Sequence, residues 1–159
     1  MTLAISQQEL ADFLVFAKRN TYAAEENRHG VKPALPSSHQ YEIRDGALFY
    51  LDIYFGSTYF TGHEAVYHKT TPIWGMSYAG GVSDDLPDGE VKPLFDFLRQ
   101  ALRQVEHKMP FRGPEIFQKG DYRYSNRVLG NLSRFSGTET IFYQDQSIYH
   151  LHYSGGLIR

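Results

Sequence analysis

Residues 54–81 read YFGSTYFTGHEAVYHKTTPIWGMSYAGG, aromatic rings and glycines interleaved through what is otherwise strand sequence. Ordinary strands are built from Val, Ile and Thr, with glycine kept to the turns. Here Gly56, Gly62, Gly75, Gly80 and Gly81 stand beside bulky side chains, which predicts a concave, ring-lined face that backbone or ligand can approach closely. Thr70-Thr71-Pro72 separates two strands, near 58–69 and 73–79. On the second, Trp74, Met76 and Tyr78 share one face, and Ile73, Gly75, Ser77 and Ala79 the other.

The flanking sequence extends this sheet in both directions. Before it, Asp45-Gly46 is turn material inside residues 40–55, where Phe49, Leu51, Ile53 and Phe55 alternate with Tyr50, Asp52 and Tyr54 as in a hairpin. Earlier still, Ser6-Gln7-Gln8-Glu9 has capping-box spacing and opens a helix at about 6–18, with Leu10, Phe13, Leu14 and Ala17 on one stripe. Lys18 and Arg19 lie where cations suit the helix C-terminus. Residues 20–39 have no sustained period and read as a long loop.

After the run, Val91, Leu94, Phe95, Leu98, Ala101, Leu102 and Val105 mark an amphipathic helix at about 90–106, with Pro93 in its first turn. Further strands are predicted near 115–118, 121–129, 132–136, 140–145 and 147–154. Lys119-Gly120, Gly130-Asn131, Gly137 and Asp145-Gln146 are read as the turns between them. No internal repeat and no linker is read. The expectation is a single α+β domain over residues 1–159, with two helices and a strongly bent, mostly antiparallel sheet of about eight strands.

Composition narrows the function classes. A net charge of -2 argues against nonspecific DNA binding, which needs a basic excess. The absence of cysteine removes disulfides, thiolate catalysis and Cys-based zinc sites. No apolar run approaches the roughly 20 residues that span a bilayer, and MTLAISQQEL lacks the features of a signal peptide, so a cytoplasmic protein without a membrane partner is expected. The aromatic share of 15% fits strands and ring-lined binding surfaces alike.

No catalytic set is evident. His63 and Glu64 are adjacent on a strand and point to opposite faces, which separates them as an acid–base pair. Glu64 alone sits among apolar neighbours, where a carboxylate must be paired, protonated or used on a ligand. His150 and His152 share one strand face but lack an evident third metal ligand, so neither metal nor cofactor is expected. Nothing matches a P-loop, a G-x-G-x-x-G turn, a G-x-S-x-G elbow or H-E-x-x-H.

What remains is arginine set beside rings. Arginine forks hold carboxylate or phosphate, and flat bases stack on Tyr or Trp. The expected ligand site comprises Arg19, Tyr22, Tyr54, Glu64, Trp74, Tyr78, Arg112 and Arg123, and its expected ligand is small, anionic and nucleotide-like. An enzyme with Glu64 as general base and a protein-interaction module are the alternatives, and a homo-oligomer is left open.

Several stretches resemble the DUF5680 family, a bacterial domain of unknown function often appended to an Xre-type helix-turn-helix. They are Ala17–Ala23, Tyr54-Phe55-Gly56, Phe60-x-Gly62-x-Glu64-x-Val66-Tyr67, Pro72-Ile73-Trp74-Gly75-Met76-x-Tyr78, Met109–Pro114 and Tyr153-x-Gly155-Gly156-Leu157-Ile158. The resemblance carries no established activity. It implies a ligand-sensing or interaction module. With the first helix assigned to the domain itself, direct DNA binding is not expected; a stand-alone binder is, such as a protein that sequesters a signal molecule in the manner of some phage anti-defence proteins.

Overall fold

The computed structural model describes residues 5–24 and 29–159. Helix α1 (Gln7–Asn20) is followed by strands β1 (His39–Asp45), β2 (Leu48–Gly56), β3 (Tyr59–His68) and β4 (Thr71–Val82). Helix α2 (Asp88–Leu102) then precedes β5 (Ile116–Lys119), β6 (Tyr122–Asn131), β7 (Arg134–Tyr143) and β8 (Gln146–Leu157). All eight strands form one antiparallel sheet in the order β1-β2-β3-β4-β8-β7-β6-β5. The fold is α+β as expected, and no helix among the described residues is long and apolar enough to cross a membrane.

Helix α1 opens on the capping box read from sequence: the Ser6 hydroxyl accepts from the Glu9 amide at 3.1 Å, and the Glu9 carboxylate accepts from the Ser6 amide at 2.8 Å. Its stripe of Leu10, Phe13, Leu14 and Ala17 is buried, as are Leu94, Phe97, Leu98 and Ala101 of α2. These two stripes share one core with Tyr50, Val66, Trp74, Met76, Tyr78, Phe135, Tyr149 and Tyr153 of the sheet.

The element order is a helix and a four-strand meander, made twice. Contrary to the expectation of no repeat, the sequence carries the same duplication. Leu10-x-Asp12-Phe13-Leu14-x-x-Ala17 of α1 returns as Leu94-x-Asp96-Phe97-Leu98-x-x-Ala101 of α2. Phe60-Thr61-Gly62-x-Glu64-x-Val66 of β3 returns as Phe135-Ser136-Gly137-x-Glu139-x-Ile141 of β7, and Tyr78-Ala79-Gly80-Gly81 of β4 as Tyr153-Ser154-Gly155-Gly156 of β8. Backbone irregularities recur in step. Positive φ falls at Gly46 and Gly120, at Gly56 and Gly130, and at Lys69 and Gln144. The bulges lie at Val66/Tyr67 and Ile141/Phe142. The halves meet where β4 pairs with β8, Tyr78 opposite Tyr153.

Three boundaries differ from the sequence reading. Gly137 is no turn: it lies inside β7, where an added Cβ would come within 2.2 Å of the Tyr153 ring. One long strand therefore replaces the two expected at 132–136 and 140–145. Helix α2 begins at Asp88, which moves Pro93 into the second turn; the carbonyl it leaves unpaired is that of exposed Gly89, open to water. The same helix stops at Leu102, and buried Val105 closes the following turn through its amide to the Leu102 carbonyl at 3.2 Å.

Gly62 repeats the arrangement of Gly137, with its added Cβ 2.4 Å from the Tyr78 hydroxyl. Gly62→Ala and Gly137→Ala should each destabilise the protein by about 1–3 kcal/mol through overpacking, measured by urea denaturation. Gly89→Ala, with open space around it, should be neutral or stabilising by up to about 1 kcal/mol.

Candidate functional site

The inner, helix-facing side of the first half carries Tyr50, Asp52 and Tyr54 on β2, Phe60, Gly62 and Glu64 on β3, and Trp74, Met76 and Tyr78 on β4. The register sets Asp52 directly opposite Glu64, two carboxyls side by side in the interior. Like charges so placed repel. Lys18 resolves half of the conflict. It is fully buried on the inner face of α1, and its ammonium donates to Glu64 Oε2. The ammonium also lies 5.7–5.9 Å from the ring centroids of Tyr22, Tyr50 and Trp74. Burial lowers the Lys18 pKa, and the Glu64 carboxylate pulls it back up.

Asp52 takes the other half by shifting its titration. Burial first, then the Glu64 charge, pushes its carboxyl up to about 7, against the Tyr78 hydrogen bond and the pull of Lys18 and Arg112. The Tyr78 hydroxyl donates to Asp52 Oδ1 at 2.7 Å. The second half holds the counterpart. There the Tyr153 hydroxyl donates to Asn126 Oδ1 at 2.6 Å, and Arg112 Nε donates to buried Glu139 at 2.7 Å. Burial is the largest single influence on Arg112 and works against its charge, but the Glu139 carboxylate together with Tyr22, Tyr149 and Tyr124 raises the guanidinium well above its ordinary range.

Beside this interior lies a cleft of about 410 Å³ between β2–β3 and α2. Its walls include Tyr54, Phe60 and Tyr78 from the sheet and Val91, Phe95 and Leu98 from the helix, with Asp52, Arg112 and Tyr22 also lining it and Arg99 on the helix side. Tyr54 stacks on His39, ring centroids 4.9 Å apart, and the enclosed Tyr22 hydroxyl has no hydrogen-bond partner.

The structure gathers four of the eight expected residues, Tyr22, Tyr54, Tyr78 and Arg112, around this one space. Glu64 and Trp74 are fully buried in the same interior without lining it; Trp74 stacks on Phe135 at 5.7 Å. Arg19 lies apart and donates to the Val105 carbonyl at 2.8 Å. Arg123 also lies apart, with its guanidinium 4.3 Å from the Phe142 ring centroid. His150 and His152 are exposed with their Nε2 atoms 3.0 Å apart, and no group of three potential metal ligands forms among the described residues.

Sequence reading missed Lys18, Asp52 and Glu139. A signal existed for each. Lys18 follows Leu14 by four residues on the buried stripe, and Asp52 alternates with Tyr50 and Tyr54 on one strand face. Glu139 repeats the Glu64 position.

Residues 52–158 match the family described as Domain of unknown function (DUF5680), and the chain belongs to that family. Comparison with curated proteins and with solved structures gives no match.

Two predictions follow from the buried charges. Because the folded Asp52 pKa lies above its ordinary 3.8, the stability it contributes is full below that value and is lost as pH rises through about 7. Urea titrations across this window should show unfolding free energy falling by up to a few kcal/mol. Asp52→Asn should flatten the fall and be the more stable protein above pH 7. Lys18→Met should cost about 3–5 kcal/mol by stranding the Glu64 charge; adding Glu64→Gln should restore much of that loss in the same assay.

Proposed function

We propose that the protein binds a small anionic, nucleotide-like molecule in the cleft between β2–β3 and α2, without converting it. The observation that carries this reading is the convergence of Tyr22, Tyr54, Tyr78 and Arg112 on one space of about 410 Å³. That volume lies in the range of small-molecule sites, which pair apolar walls with a few placed polar groups. Tyr54 and Phe60 offer flat surfaces for a ring, while Arg99 and Arg112 supply the positive charge for an anion. A binder without turnover fits a sensor or a protein that sequesters a signalling molecule.

A catalytic reading moves its base from Glu64 to Asp52. Glu64 does not line the cleft and is held by Lys18, whereas Asp52 lines it and titrates near neutrality. Mass analysis of recovered ligand separates the two readings: intact ligand supports binding, and conversion lost in Asp52→Asn supports catalysis.

Thermal-shift screening against mononucleotides and cyclic nucleotides tests the binding proposal. A ligand at about 100 times its dissociation constant adds about 2.7 kcal/mol, so a clear rise in Tm is expected. Tyr54→Ala, on a half-buried wall residue, should weaken that ligand by about tenfold while the protein stays folded. A protein whose Tm responds to no compound of these classes would overturn the proposal.

A further inference from the structure

The two halves offer an internal control for what the cleft recognises. In the second half, both polar atoms of the Asn126 side chain have a protein partner: Oδ1 accepts from Tyr153 at 2.6 Å, and Nδ2 donates to the Gly113 carbonyl at 3.0 Å. Asn126 is 1% exposed and Asp52 2%, so the two are equally buried and differ in that Asp52 lines the cleft. In the first half, Asp52 takes the same place opposite Tyr78 but stands at the cleft. Among the described residues Tyr78 is its only hydrogen-bond partner. Where Asn126 presents a donor and finds a carbonyl, Asp52 presents an acceptor and finds the cavity.

The second half carries a counterpart cleft of about 470 Å³. It lies between α1 and the β6–β7 turn, where Gly130 repeats Gly56 and Ala11 repeats Phe95. Met109, Pro110, Phe111 and Leu132 line it, Phe111 stacks on Phe135 with ring centroids 4.1 Å apart, and Asn126 is not among its walls. Both copies of the fold carry a cleft, but only in the first does the Tyr–Asx pair form part of its wall, and there the Asx residue is a carboxyl.

We infer that Asp52 selects the ligand by accepting from a donor edge, so that the ring held in the cleft carries adjacent N–H groups, as guanine does at N1 and N2. This rests on the binding reading above and specifies its ligand class. A carboxylate accepts two parallel N–H bonds in bidentate fashion, and the Tyr22 side chain lines the same cleft. Adenine offers one N–H donor beside the N1 lone pair, which would face the carboxylate oxygen and repel it. Hypoxanthine offers N1–H alone and should fall between the two.

The test is calorimetric titration of the full chain with GMP, IMP and AMP at pH 8, with Asp52→Asn alongside. The inference expects GMP to bind at least about tenfold more tightly than AMP, with IMP between. It also expects Asp52→Asn to weaken GMP by about tenfold or more and to narrow the gap to AMP. Circular dichroism checks the fold of the variant; if it does not fold, the selectivity of the unmodified protein decides alone. AMP binding as tightly as GMP, or an unchanged preference in folded Asp52→Asn, overturns the donor-edge inference and leaves the binding reading standing. No heat and no thermal shift from any nucleotide overturns both.

Discussion

Two cations buried beneath the sheet decide how this chain packs. Lys18 and Arg112 meet Glu64 and Glu139, carboxylates at matching positions of the two β-meanders. An isolated charge in such an interior would cost several kcal/mol, and removing one partner leaves that cost behind. The angle of α1 about its own axis follows, because only one rotation buries the Leu10–Leu14 stripe and also delivers Lys18 to Glu64. The stretch after α2 is fixed in the same way, by Arg112 on Glu139 and by the Gly113 amide donating to the Tyr124 hydroxyl at 3.0 Å.

Duplication turns one polar design into two outcomes. Each half uses Glu, a cation and a Tyr–Asx hydrogen bond, yet the cations arrive by different routes, one from a helix and one from the loop ahead of β5. Asn126 closes its network on a backbone carbonyl, whereas Asp52 shares the interior with Glu64 and titrates near neutrality. The half with the less settled electrostatics is the one whose Asx residue lines a cleft. That pairing is expected where perturbed ionisation and ligand contact coincide.

Much of the fold was legible in the chain. Strand alternation, the capping box and the 3.6-residue stripes located both helices and nearly every strand, because each signal is local. The repeat was not legible for a physical reason. Its matches fall on inward-facing alternate positions, while the outward residues between them differ, as with His63 and Thr138 or Ala65 and Thr140. Gly137 misled because a glycine that makes room for a ring looks, in sequence, like one that makes a turn. At the cleft, Tyr54, Tyr78 and Arg112 declared themselves as rings and a cation in odd company. Asp52 drew no attention within its hairpin, since nothing local tells which face of β2 the helices will cover.

The seam between β4 and β8 has a bearing on how the molecule comes apart. Both ion pairs and both Tyr–Asx hydrogen bonds close within their own half, which by itself would favour two independently melting units. The apolar contacts run the other way. Phe60 of the first half packs on Phe95 of α2 and on Tyr149, and Trp74 stacks on Phe135. Opening either half therefore strips the other of part of its apolar cover. Those shared rings tie the halves together: the molecule is duplicated in pattern but has one apolar core.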